Sequence, residues 1–192
     1  YIDFDEPFLK LRHQGIILAE DGRKMSKSFG NVVNPNDLVE QYGADTLRLH
    51  EMFLGSLEDM KAWNTASIGG PRRFLERVWR LKEKVVSAGD THDVETALHR
   101  TIKKVGEDIE TFSLNTAISS LMVLLNEMED ATLLLQEDYE TLLVLLAPFA
   151  PHITEELWHE LGNTGSIHHV SWPLYDSVKI ILQEVTIAVQ VN

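Results

Sequence analysis

Two lysines three positions apart, Lys24 and Lys27, stand with two serines in the pentapeptide Lys24-Met25-Ser26-Lys27-Ser28. Ammonium groups and hydroxyls at that spacing can meet successive phosphates of a polyphosphate, the lysines by charge and the serines as neutral donors. Met25 is the apolar residue among them and can anchor the loop to a core while its neighbours stay in water. A solvated basic loop is the plainer reading of five such letters, since short motifs recur by chance. The flanks argue for a built turn. Gly15-Ile16-Ile17-Leu18 is an apolar run, and Asp21-Gly22 is a dipeptide that accepts positive φ in a tight hairpin. A strand therefore rises, turns and delivers the lysines, with Gly22 and Gly30 as flanks that let the tip close and open.

The elements that must hold this loop follow it directly. Asn34-Pro35-Asn36-Asp37 is a helix start: Asn caps, Pro suits the first turn, and Asp37 faces the positive end of the helix dipole. Leu38, Val39 and Tyr42 mark one face, and Gly43 ends the helix. Asp45 is placed to cap the next one, where Leu47, Leu49, Met52, Phe53 and Leu54 stay apolar until Gly55. Arg48 reads as a surface or ion-pair residue. Upstream, residues 7–11 read as a short helix. Gly55, Asn64, Gly69 and Gly70 mark a boundary.

Beyond the boundary the apolar spacing is helical. A helix over 71–87, closed by Gly89, turns Phe74, Val78, Leu81 and Val85 inward, with Trp79 in the core. Arg73, Arg77, Arg80 and Lys84 share the same spacing one residue round, a basic stripe that either meets a nucleic-acid backbone or is a solvated face salted by Glu76 and Glu83. Asp93 is a candidate cap for a helix to about Thr111, Ser113 opens another, residues 137–146 form a third, and Pro151 to Leu161 a last one. Short links favour antiparallel neighbours. The expected fold is mainly α: an antiparallel bundle of four or five helices, preceded by a β-hairpin with the lysine loop and followed by a short strand region at 180–191.

Charge separates the two halves. The net charge is −13, yet residues 1–104 hold sixteen Lys/Arg and sixteen Asp/Glu, while residues 105–192 hold Lys179 alone against fourteen acids. Any contact with RNA falls to the first half, and the second repels phosphate. Zero cysteines exclude disulfides and thiolate zinc sites in this span. No apolar run is long enough for a membrane span, and the acidic start lacks a signal-peptide pattern, so a cytoplasmic protein is expected. His152, Glu156 and His159 share a helix face, but the histidines are about 10 Å apart along the axis, too far to share one ion. No metal site is expected there.

The pentapeptide is similar to the KMSKS motif of class I aminoacyl-tRNA synthetases. Its surroundings, from Glu20-Asp21-Gly22-Arg23 through Gly30-Asn31-Val32-Val33-Asn34-Pro35 to Tyr42-Gly43-Ala44-Asp45-Thr46-Leu47-Arg48-Leu49, resemble the leucyl-tRNA synthetases. The likeness continues in Glu51-Met52-Phe53-Leu54-Gly55, in Arg73 to Leu81, in Leu146 to Trp158 and in the closing Thr186-Ile187-Ala188-Val189-Gln190-Val191-Asn192. It covers nearly the whole chain. The family's HIGH motif, first nucleotide-binding half and editing domain are not in this span, so the resemblance implies a fragment.

The resemblance implies a division: residues 1–64 as the end of a catalytic domain, 65–178 as a helical anticodon-binding bundle, and 179–192 as the start of a truncated C-terminal domain. It implies ATP-dependent ligation of leucine to tRNA(Leu) through leucyl-adenylate in the full-length enzyme, with Mg2+ accompanying the nucleotide and the fragment alone inactive and binding no cofactor of its own. Lys24, Met25, Ser26, Lys27 and Ser28 would contact ATP, with Lys27 and then Lys24 as the catalytic cations, and Arg73, Arg77, Arg80 and Lys84 would contact tRNA. Phe29 departs from the basic or polar residue that the family often carries, which bears on loop dynamics and on one phosphate-side charge. Valyl, isoleucyl and methionyl enzymes carry a similar loop and bundle, but the closing segment and residues 42–54 favour the leucyl group. A helical protein-interaction module with a coincidental loop is the reading from another class; matches on both sides of residue 100 argue against it.

Overall fold

Helix formation begins where the chain offers a cap. In the computed structural model, which describes residues 3–89 and 94–180, Asn34 accepts the Asn36 amide at 3.2 Å and Pro35 opens α1 (Pro35–Tyr42). Gly43, at φ 90°, separates α1 from α2 (Ala44–Phe53). The chain then runs through α3 (Gly69–Leu81), α4 (Glu95–Thr111), α5 (Leu114–Asp130), α6 (Gln136–Leu146) and α7 (Pro151–Glu160). Strands are short. β1 (Ile17–Leu18) pairs in parallel with β2 (Lys61–Ala62), and β3 (Val85–Val86) pairs in parallel with β4 (Leu134–Leu135).

Two hydrophobic clusters divide the structure. The larger takes Phe74 and Val78 from α3, Leu98 and Ile102 from α4, Leu121 and Leu125 from α5, Leu142 and Leu145 from α6, and Leu157 from α7. Each of these helices turns one apolar stripe inward, and together they remove the stripes from water. The smaller cluster is Leu38, Leu47, Trp63 and Ile68, with Ile17 and Met25 packed on it. α2 belongs to both, since Leu47 lies in the small cluster and Leu49 in the large one. The fold is the mainly α bundle with small strand segments that the periodicity predicts.

Several local expectations are corrected. Residues 7–11 form no helix; Phe8, Leu9 and Leu11 are exposed, so nothing rewards helix formation there. The expected hairpin is a tight turn with a single antiparallel bridge, Leu18 to Lys24, and β1 takes its ladder from β2 instead. The helix expected to reach residue 87 ends at Leu81, passes through a 3-10 turn at Lys82–Lys84 and becomes β3, because β4 supplies a strand partner from outside the local sequence. Asp45 does not cap α2; Gly43 holds that position and gives no side-chain bond. The expected cap at Asp93 and the expected strand beyond Ile180 lie outside the described residues.

Candidate phosphate-binding loop and the basic helix behind it

The loop is held by its own side chains. Gly22, at φ 75°, lets its amide reach Ala19 O at 2.9 Å while the Ala19 amide bonds Arg23 O at 2.8 Å, which closes the turn. Lys24 then runs into the 3-10 turn Lys27–Phe29, capped by Ser26, whose Oγ accepts the Ser28 amide at 3.3 Å. Gly30 ends it in the left-handed region at φ 66° and bonds back to Lys27 O. Asn31 staples the two ends: Oδ1 accepts the Ser26 amide at 2.8 Å and Nδ2 donates to Lys24 O at 3.4 Å. Met25 is half-buried against the small cluster, the anchoring expected of it.

That scaffold leaves the chemistry outward. Lys24 and Lys27 are exposed, and neither forms an ion pair among the described residues. Ser26 Oγ and Ser28 Oγ lie 2.8 Å apart, so the pair can turn a hydroxyl toward a ligand without losing the other contact. Arg23 is committed: its guanidinium bonds Asp21 at 2.6 and 2.8 Å and sits 5.2 Å from the centre of the exposed Phe29 ring. Those bonds from Arg23 hold the Asp21 carboxyl below its ordinary value, and the Thr65 amide does the same for Glu20. Both acids therefore stay charged and occupied, and the free cations at the tip are the two lysines. The arrangement can receive a polyanion at its exposed edge.

The basic row on α3 splits in two. Arg77 bonds Glu129 of α5 at 2.5 Å and Asn126 at 2.6 Å, and Lys84 donates to the Glu129 carbonyl oxygen. The hydrogen bonds from Arg77 hold the Glu129 carboxyl below its ordinary value. Arg73 and Arg80 are exposed and make no hydrogen bond or ion pair among the described residues. Loop and row are separate sites, the first on the small cluster and the second along the bundle. Trp79 is half-buried, with Lys82 Nζ 3.9 Å from its ring centre.

His152 and His159, the two histidines that share a face of α7, each pair with a carboxylate. His152 Nδ1 lies 2.7 Å from Asp45 and His159 Nε2 lies 3.2 Å from Glu155, on separate carboxylates. Among the described residues no group of three His, Asp or Glu side chains is placed to hold an ion, and no helix is long and apolar enough to cross a membrane. Three positions that shape this region are not assigned that role by the sequence. Asn31 had no assigned role, although an Asn beside a turn glycine is a frequent backbone staple. Asp45 and Arg48 had local assignments, and their partners lie about a hundred residues away, where no local signal reaches.

Comparison with known proteins gives a consistent result. A family model described as the anticodon-binding domain of tRNA ligase matches residues 92–192, and one described as tRNA synthetases class I (I, L, M and V) matches residues 2–62. The chain is 48% identical to a leucine–tRNA ligase of Alkaliphilus oremlandii and 50% identical to one of Chlorobaculum parvum, each over 97% of its own length. It spans about a quarter of the length of these curated relatives, 23% and 24%. A crystal structure of Agrobacterium radiobacter K84 LeuRS, solved as a ternary complex with tRNA and LeuAMS, superposes with a TM-score of 0.82 at 32% identity, over 94% of this chain and 26% of that one. The chain therefore belongs to the family of tRNA ligases that carry this anticodon-binding domain, and its first third is similar to the class I synthetases.

Proposed function

We propose that the protein to which this chain belongs is a leucine–tRNA ligase, and that the chain supplies its phosphate-binding loop and its tRNA-holding bundle. The observation that carries this is the pair of exposed ammonium groups of Lys24 and Lys27, without an ion pair among the described residues, on a loop pinned by Asn31. In the reaction, the leucine carboxylate attacks the α-phosphorus of ATP, and the bond to the bridging oxygen breaks as pyrophosphate leaves. A ribose hydroxyl of tRNA(Leu) then attacks the acyl carbon and AMP departs. The first step gathers negative charge on the departing phosphates. Cations fixed at that place stabilise the transition state more than the ground state. Lys27 takes the catalytic role and Lys24 supports it, while Ser26, Ser28 and Met25 complete the ATP contact.

Mg2+ arriving with the nucleotide would neutralise part of its phosphate charge. The loop offers cations and hydroxyls, and its nearest acid, Asp21, is occupied by Arg23, so the ion is assigned to the nucleotide side. Residues 1–64 serve as the end of the catalytic domain, 65–178 as the bundle and 179–192 as the start of a further domain. The two separate cores support that division, and α2 bridges it. Arg73 and Arg80 are the members of the α3 row free to meet tRNA backbone, with Arg77 between them and Lys84 beyond them shaping the surface. The compartment assigned is the cytoplasm. In the full-length protein, Lys27→Ala is expected to lower leucine-dependent ATP–pyrophosphate exchange about a hundredfold, the scale of losing one preorganised charge contact, with leucine affinity unchanged. Equal exchange in variant and parent removes the loop from the chemistry.

A further inference from the structure

Two side chains of α2 leave their own helix and close on the turn between α6 and α7. Asp45, only 8% exposed, accepts the Ile153 amide at 2.8 Å and the His152 amide at 3.4 Å, and its Oδ1 lies 2.7 Å from His152 Nδ1. These are the second and third residues of α7, whose own N-cap, Ala150, has no side-chain acceptor. Pro151 has no amide hydrogen to satisfy, and Asp45 takes the next two, so a residue 107 positions away serves as the N-cap. One turn along α2, Arg48 donates to Pro148 O at 2.8 Å and to Phe149 O at 3.2 Å. A carboxylate meets a helix N-terminus, and a guanidinium meets free carbonyls, so each charge lies where the backbone dipoles favour it.

We propose that Asp45 and Arg48 are the joint that keeps the phosphate-binding loop and the tRNA-holding bundle in register for acyl transfer, an inference that rests on the ligase reading above. Both are positioning residues and touch neither nucleotide nor RNA. α2 carries Leu47 in the cluster on which Met25 rests and Leu49 in the bundle core, so its orientation is common to both halves. Asp45 and His152 also line a cleft of about 930 Å³ with Trp79 and Arg80, so the joint sets the wall facing a free arginine of α3. Of the two halves of this chain, adenylate formation calls only on the loop side. Transfer needs the loop-side site and a bundle-held tRNA at one fixed separation, and there a loosened joint shows.

In the full-length protein, Asp45→Ala and Arg48→Met are expected to leave pyrophosphate exchange within about twofold while the kcat of aminoacylation falls about tenfold, a coupling of ordinary size. The double variant falls little further than the worse single one, because either break frees the same turn. Asp45→Asn, whose amide oxygen still accepts a backbone amide, recovers part of the rate. Equal losses in both assays, or no loss in either, overturn the joint. Hydrogen exchange at the His152 and Ile153 amides is read in parallel: it speeds up in Asp45→Ala, and unchanged protection overturns the long-range cap. A parent protein with no leucine-dependent exchange overturns the ligase reading instead, and the amide protection still decides the joint.

Discussion

Asn31 shows how little it takes to hold two like charges at one edge. Lys24 and Lys27 repel each other weakly in water, and their backbone would sample many shapes without the bonds from Asn31 to Ser26 N and Lys24 O. Ordering the loop in advance would lower the entropy lost on the proposed binding of phosphates. Asn31→Ala is expected to raise the KM for ATP and lower pyrophosphate exchange about tenfold, the effect of one or two net hydrogen bonds. Global stability should hardly change, because the loop lies outside the large core. Steady-state exchange and a thermal melt check both halves; full activity in Asn31→Ala would show that the ligand orders the loop by itself. Beside it, Phe29 is 63% exposed and carries the Arg23 guanidinium, so the unusual residue fixes a neighbouring cation in place of adding one.

At the scale of the element, α3 does two jobs with one repeating pattern. Its apolar stripe, Phe74 to Leu81, enters the large core. Its basic stripe divides by what lies opposite: Glu129 and Asn126 on α5 capture Arg77, while Arg73 and Arg80 face no acid within bonding distance among the described residues. Reversing Arg73 and Arg80 to Glu is expected to weaken tRNA binding and flatten its salt dependence by about one unit of log–log slope per lost phosphate contact. Arg77→Glu should instead lower the melting temperature, since it sets two carboxylates face to face. Filter binding at several salt concentrations decides; an unchanged slope in the Arg73/Arg80 variant returns the row to a solvated face.

For the molecule as a whole, the charge map and the matched lengths point the same way. The acidic second half would repel phosphate, and the proposed RNA contact is therefore expected of the charge-balanced first half. Because the chain spans 23–24% of its leucine–tRNA ligase relatives, this chain alone is expected to make no leucyl-adenylate; measurable pyrophosphate exchange by the purified chain would overturn that. Sequence by itself determined what depends on neighbours within a turn or two. The cap at Asn34, the break at Gly43, the inward faces of α3 to α7 and the outward lysines all follow from 3.6-residue spacing and local backbone preference. Only the tertiary structure decided which charges are spent. Arg77 on Glu129, Arg48 on Pro148 and Phe149, and Asp45 on the start of α7 are meetings between residues about 50 to 110 positions apart. The same holds for β3, which becomes a strand because β4 arrives beside it. A side chain's partner is set by where the packed helices bring distant segments together, and local spacing carries no record of that.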